Sequence, residues 1–221
     1  MKRLSAVFLM SDASRNRIFD LVKQACVDLD VVFVNDSNAL ERAFTMRHDL
    51  LLSFGTGVIV PAWILEMTNL LAVNVHAASP QYPGRDPHHF AVYDGATQYG
   101  ATMHYMTQSV DAGPIIDVEF FDVPTTVSPF ALLDLANEAG WKLISRFFTA
   151  YQSEGAPVPL DGHAWGKRKS TRKMFLEMCR IDPSMPQEEI DRRYRATAMP
   201  GYRNLYVDLH GYRFRIEDSA V

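Results

Sequence analysis

The sequence predicts an α/β fold: a doubly wound, mostly parallel sheet with an antiparallel edge, followed by a small C-terminal helix and β-hairpin appendage. Three observations predict it. Apolar runs of strand length alternate with helix-like stretches as far as Val75. Two later strand-like runs, Tyr99–Met106 and Ile115–Val123, have only a turn around Asp111 between them, which makes them an antiparallel pair at one sheet edge. The tail LYVDLHGYRFRIE alternates apolar and polar residues around His210-Gly211, a hairpin pattern.

Leu4–Met10 is the first buried strand. The opening MKRLSAVFLMSD is basic and then apolar, but its apolar run is too short for a signal segment. Ser11-Asp12-Ala13-Ser14 supplies caps for a helix over about Arg15–Leu29, with Ile18, Leu21, Val22 and Ala25 on one face. Val31–Val34 is a second strand, and Asn35-Asp36-Ser37 starts a short helix reaching about Met46. DLLLSFG, opening at Asp49, is a third strand broken by Gly55 and Gly57; a helix of one or two turns ends near Met67, and Ala72–Val75 is a fourth strand. A loop rich in Pro and Gly and a short helical pattern, HHFAVYDG, lead to the antiparallel pair. Ser128-Pro129 starts a long amphipathic helix to about Tyr151. The composition divides the chain into a main domain over 1–152, a linker over 153–164 and an appendage over 165–221, with helices near Ser170–Cys179 and Pro186–Arg195.

With 221 residues and 48% hydrophobic content, the chain is long enough for one substantial core. A net charge of −4 (22 basic against 26 acidic residues) argues against a nucleic-acid binder. Cys26 and Cys179 lie far apart, which argues against a disulfide framework or a cysteine zinc site and suits reduced cytoplasmic thiols. No apolar run reaches membrane-spanning length, so no membrane partner is expected.

Asn74 and His76 stand two apart at the end of the fourth strand, so both side chains point to the same side of an extended chain. Asp111 lies just past the next strand, at the sheet edge where open α/β folds bind ligands. A carboxamide, an imidazole and a carboxylate meeting there would form a small acid–base site. The bland alternatives are loop hydrogen bonds for Asn74 and His76 and ordinary turn chemistry for Asp-Ala-Gly. His88 and His89 would face about 100° apart on a helix and suit no shared metal, so none is expected. His104 alternates with apolar residues and reads as a core or cross-strand histidine. SFGTGVIV is not the glycine fingerprint of a dinucleotide site. Lys167, Arg168, Lys169, Arg172 and Lys173 make a basic run that by itself reads as a solvated face.

DLLLSFGTGVIVP, then NVH, a Pro/Gly loop, YGATMHYM and VDAGPII resemble the formyltransferase family that uses N10-formyltetrahydrofolate, over about residues 48–123. The resemblance implies that family's variant of the Rossmann fold. It implies Asn74, His76 and Asp111 as the catalytic set and N10-formyltetrahydrofolate as co-substrate. The pterin would be held by backbone at Val58, Val60, Val110, Ala112 and Gly113. In the acceptor-side loop, HAASPQYPG keeps Pro80, Tyr82 and Gly84 of the family pattern but loses its Ser-Leu-Leu. Acceptor contacts are expected at Tyr82, Gly84 and Arg85, and at Lys167, Arg168 and Lys169, where clustered cations suit a pyrophosphate. The tail resembles those of nucleotide-sugar N-formyltransferases, which implies a nucleotide-linked amino sugar as acceptor and a homodimer. Another amine (methionyl-tRNA, an amino acid or a siderophore precursor), hydrolysis of the formyl donor, or a folate-binding domain without activity are the alternatives.

Overall fold

The computed structural model describes residues 3–216. Its main sheet has six strands: β1 (Leu4–Met10), β2 (Leu29–Val34), β3 (His48–Phe54), β4 (Thr68–His76), β5 (Gln98–Tyr105) and β6 (Ile115–Asp122). Their order across the sheet is β2-β1-β3-β4-β5-β6; β1 to β4 pair in parallel, while β5 and β6 add antiparallel at one edge. Because β1 pairs with both β2 and β3, the winding reverses beside β1, and in open α/β sheets ligands bind at the carboxyl ends of the strands beside such a reversal.

The period-2 alternation of the strands sorts the core into two layers. Ala6, Phe8 and Met10 share one cluster with Ile18 and Val22 of α1 (Arg15–Gln24). Val7 and Leu9 share the other with Leu40 of α2 (Ser37–Ala43) and Ile64 of α3 (Ala62–Glu66). After α4 (Pro87–Asp94), the 26-residue helix α5 (Pro129–Glu154) covers the first layer through Leu143, Ile144, Phe147 and Phe148. Each such buried side chain contributes roughly 1.5–3 kcal/mol. Ser128 caps α5 by accepting the Ala131 N–H at 3.1 Å.

Helix α1 stops at Gln24, short of the expected Leu29. The chain turns out of the helix at Cys26, whose φ is 53°, and the Val27 N–H closes back on the Val22 carbonyl at 3.4 Å. Leu29 instead opens β2, paired with Leu4. Strand β4 starts earlier than the expected Ala72, at Thr68, since the short α3 ends at Glu66.

The tail comprises α6 (Arg172–Cys179), β7 (Arg180–Ile181), α7 (Gln187–Thr197), β8 (Tyr206–Leu209) and β9 (Tyr212–Arg215), with β7, β8 and β9 forming a small sheet. Phe175, Met178 and Cys179 of α6, Ala196 of α7 and Tyr206 share a buried cluster with Phe90 of α4, so the tail rests on the body beside the loop that follows His76. The stretch before it is tied down twice. The Leu160 N–H donates to the Ile115 carbonyl at 2.8 Å, and the Tyr105 hydroxyl donates to the Pro157 carbonyl at 2.5 Å.

Candidate functional site

Asn74 and His76 lie on β4 with Val75 between them, buried in the core, so both polar side chains leave the opposite face at the carboxyl end of the sheet. Asn74 pairs in register with His104 of β5. The pairing of β5 with β6 shifts register between Met103 and His104, a bulge beside the site. Asp111 follows in the β5–β6 loop with a φ of 46°, a left-handed conformation that Asp tolerates better than most residues.

Hydrogen bonds assign the protons. The Nε2 of His76 lies 3.0 Å from the Tyr82 carbonyl, which only accepts, so that nitrogen carries hydrogen. The Nδ1 of His76 then faces Asp111 Oδ2 at 3.6 Å, an ion-pair distance longer than a hydrogen bond. His104 donates from Nδ1 to the Tyr105 carbonyl at 2.8 Å. In its neutral form its Nε2 accepts one Asn74 N–H at 3.1 Å, leaving the carboxamide a second donor hydrogen. The same Nε2 is 3.6 Å from Asp111 Oδ1. Asp111 Oδ2 also accepts the Gly84 N–H at 2.8 Å.

Burial holds the His76 imidazole below the usual histidine range, against the pull of Asp111; His104 and Lys169 push in the same direction as burial. Burial raises the Asp111 carboxyl, but His104, His76 and the Gly84 N–H outweigh it and hold the group below the usual range. The cluster therefore consists of an ionised carboxylate beside a largely neutral imidazole whose open nitrogen faces it. A proton arriving on Nδ1 of His76 meets Asp111 directly.

Val58 and Val60 lie in the irregular connection between β3 and α3, half-buried against the same apolar cluster as Met106, which leads into the Val110–Gly113 turn. Ile59 and Val110 are exposed apolar residues of these two stretches. The turn itself is tight: a Cβ on Gly113 would sit 1.8 Å from the Tyr105 carbonyl oxygen.

The acceptor-side residues are distributed unevenly. Tyr82 supplies its carbonyl to His76 and packs its ring on Tyr99, with centroids 5.7 Å apart. Gly84 has a φ of 102°, and a Cβ there would meet the Ser170 carbonyl oxygen at 2.3 Å. Arg85 is exposed, its Nε 3.5 Å from Asp86. The basic run, expected as a cationic patch, is largely compensated. Arg168 pairs with Asp94, Lys169 donates to the Val110 carbonyl, and Arg172 and Lys173 each stand 3.9 Å from a carboxylate, of Asp86 and Glu177. Lys167 is exposed.

Three residues of the site were not legible as such. His104 looks like any core histidine until the β4–β5 register sets it opposite Asn74. His88, buried, has no hydrogen-bond partner for Nδ1, and burial, His89 and His76 push its pKa down to about 3. Trp165 packs edge-on against His104 with centroids 4.9 Å apart and lies 6.0 Å from His76. Among the described residues no group of His, Cys, Asp or Glu is arranged to hold a metal ion, and no helix is long and apolar enough to cross a membrane.

A family model described as formyl transferase matches residues 17–146. A methionyl-tRNA formyltransferase from Listeria monocytogenes is 31% identical over 206 residues, covering 90% of this chain and 64% of that protein. The chain spans between 41% and 64% of the length of the curated relatives it matches. Among solved structures, a sugar N-formyltransferase from Shewanella sp FDAARGOS_354 superposes with a TM-score of 0.78 at 12% identity, covering 96% of both chains. An N-formyltransferase from Helicobacter canadensis, solved with folinic acid and dTDP-3-aminofucose, gives 0.65 at 15% identity, covering 95% of this chain and 85% of the other. These two likenesses are of fold.

Proposed function

The chain belongs to the formyl transferase family, and from that premise we propose that it transfers a formyl group from N10-formyltetrahydrofolate to the amine of a nucleotide-linked amino-dideoxy sugar. The observation that carries the chemistry is the convergence of Asn74, His76, His104 and Asp111 within hydrogen-bond and ion-pair distances at the strand ends. The amine attacks the formyl carbon and the carbonyl oxygen becomes an oxyanion. The second N–H of Asn74 stabilises that oxygen, while His104 holds the carboxamide by the first. The attacking nitrogen must lose a proton and the departing folate nitrogen must gain one. His76 moves that proton through Nδ1, and Asp111 stabilises the imidazolium while it lasts. No covalent enzyme intermediate is needed.

In this reading the folate lies along Val58, Val60, Val110, Ala112 and Gly113. The acceptor approaches over Tyr82, Gly84 and Arg85, with Lys167 and Arg168 toward its diphosphate. The sugar acceptor is supported by the superposition, over 96% of both chains, on the Shewanella protein, a sugar N-formyltransferase. Exposed Tyr212 and Phe214 on β9 support a homodimer through the small sheet. The identity to methionyl-tRNA formyltransferases supports a second reading, with aminoacyl-tRNA as acceptor; the net charge of −4 weighs against it. Incubation with N10-formyltetrahydrofolate and a panel of nucleotide-linked amino sugars or charged initiator tRNA, read by mass spectrometry for one added formyl group, decides between them. Transfer to tRNA alone would overturn the sugar reading.

A further inference from the structure

Residues 165–170 do not stand apart from the catalytic cluster. The segment runs along the loop after His76 and is laced to it: Gly166 N–H to the Pro80 carbonyl at 2.8 Å, Ser170 N–H to Pro83 at 2.9 Å, and Arg85 N–H to Ser170 at 3.0 Å. The fit is close enough that a Cβ on Gly166 would lie 2.2 Å from the Gln81 carbonyl oxygen. From this anchored segment two side chains, four positions apart, reach the turn that carries Asp111. The Trp165 indole N–H donates to the Gly113 carbonyl at 2.8 Å, and the Lys169 ammonium donates to the Val110 carbonyl. The two carbonyls flank Asp111, whose backbone is left-handed. The Trp165 ring meanwhile closes against His104 and His76.

We propose that Trp165 and Lys169 are positioning residues of the site: together they grip the Asp111 turn on both sides, and Trp165 forms the wall that sets the two imidazoles. The lysine expected to meet the acceptor's diphosphate thus acts on the catalytic carboxylate instead. The inference rests on the formyl-transfer reading for its kinetic consequences but not for its structural ones. The Gly84 N–H donates to Asp111 Oδ2, so its hydrogen exchange reports where the carboxylate sits.

The experiment compares the full-length protein with Trp165→Phe, which keeps a ring and loses the N–H, and Lys169→Met, which keeps most of the stem and loses the charge. Expected are a loss of Gly84 amide protection of about tenfold in each variant, from one charged or neutral hydrogen bond removed, and altered imidazole resonances of His76 and His104 in Trp165→Phe. Under formyl transfer, kcat falls in both while KM for the acceptor is retained. Unchanged Gly84 exchange and unchanged imidazole resonances in folded variants would overturn the proposal. A rise in acceptor KM in Lys169→Met at constant kcat would also do so, returning Lys169 to substrate binding. If no acceptor is formylated by the unmodified protein, the functional reading fails while the exchange and resonance data still decide the grip.

Discussion

The main sheet holds a histidine at each of its two ends, His48 buried and His76 half-buried, and they make a controlled comparison. His48 starts β3 at the amino end and is 3% exposed; both its nitrogens are satisfied, Nδ1 by the Ser5 hydroxyl at 2.6 Å and Nε2 by the Ala43 carbonyl at 3.0 Å. With Nε2 donating to a carbonyl, Nδ1 accepts from the serine, an arrangement that superficially imitates a nucleophile and its base. A backbone carbonyl, that of Ala43, stands behind this imidazole in place of a carboxylate. His76 ends β4 at the other edge with one nitrogen bonded and the other facing Asp111 at 3.6 Å, short of a hydrogen bond. A histidine with two good partners is part of the scaffold. A histidine with one good partner and one charged neighbour just out of reach can accept a proton and give it up.

The sharpest test of this contrast is at the donor beside His76. Asn74→Ala removes the proposed oxyanion donor and uncovers Nε2 of His104; kcat should fall by about 10²–10³, measured at saturating substrates on a folded variant. Replacing His76 with Ala should cost at least about 10² in kcat, whereas His48→Ala should leave the turnover of the folded fraction unchanged. The His48 variant should instead lose about 2 kcal/mol in urea unfolding, as the Ser5 hydroxyl and the Ala43 carbonyl lose a buried partner. Equal kinetic losses in the two histidine variants would erase the distinction drawn between them.

Asp111→Asn keeps an oxygen for the Gly84 N–H and keeps the turn backbone, but loses the charge facing His76. Folate affinity, measured by calorimetry, should fall less than kcat. The last effect concerns stability in acid rather than turnover. His88 is buried with its pKa lowered to about 3, from the ordinary 6.5, so the unfolded chain binds a proton that the folded chain does not between those values. That group's contribution is fully present above pH 6.5 and is lost as the pH falls toward 3, at about 1.4 kcal/mol per pH unit. His76, also lowered and faced by Asp111, His104, Lys169 and His88, adds a loss of the same sign just below 6.5. His88→Phe should flatten the acid side of the urea-unfolding profile; an unchanged slope would mean that His88 takes up its proton in the folded state.

Asn74, His76 and Asp111 were legible because strand ends can be read from local patterns: an apolar run that stops and two polar residues in phase. His104 was not, because what distinguishes it from a core histidine is cross-strand register. That register is set by a turn and a bulge with no one-residue signature. Trp165 and Lys169 were less legible still. They belong to a stretch whose composition reads as the start of an appendage, and their targets are backbone carbonyls, which have no side-chain signature. The boundaries missed for α1 and β4 have a similar cause. Leu29 fits the apolar stripe of a helix as well as a strand, and only the parallel pairing with Leu4 decides.

The strap over the Asp111 turn also bears on how the protein could be divided. Residues 161–164 are exposed and lie just before Trp165, outside any helix or strand. Cutting the chain there would put Asn74, His76, His104 and Asp111 in one fragment, and Trp165, Lys169 and the helices that pack on Phe90 in the other. The larger piece alone would have its carboxylate turn released and its imidazoles open to water. Co-expressed halves would have to find each other through the Pro80–Arg85 hydrogen bonds before turnover could return. Recovery of the proposed formyl transfer would then depend on the concentration of the smaller fragment, making the protein a split reporter of its own assembly.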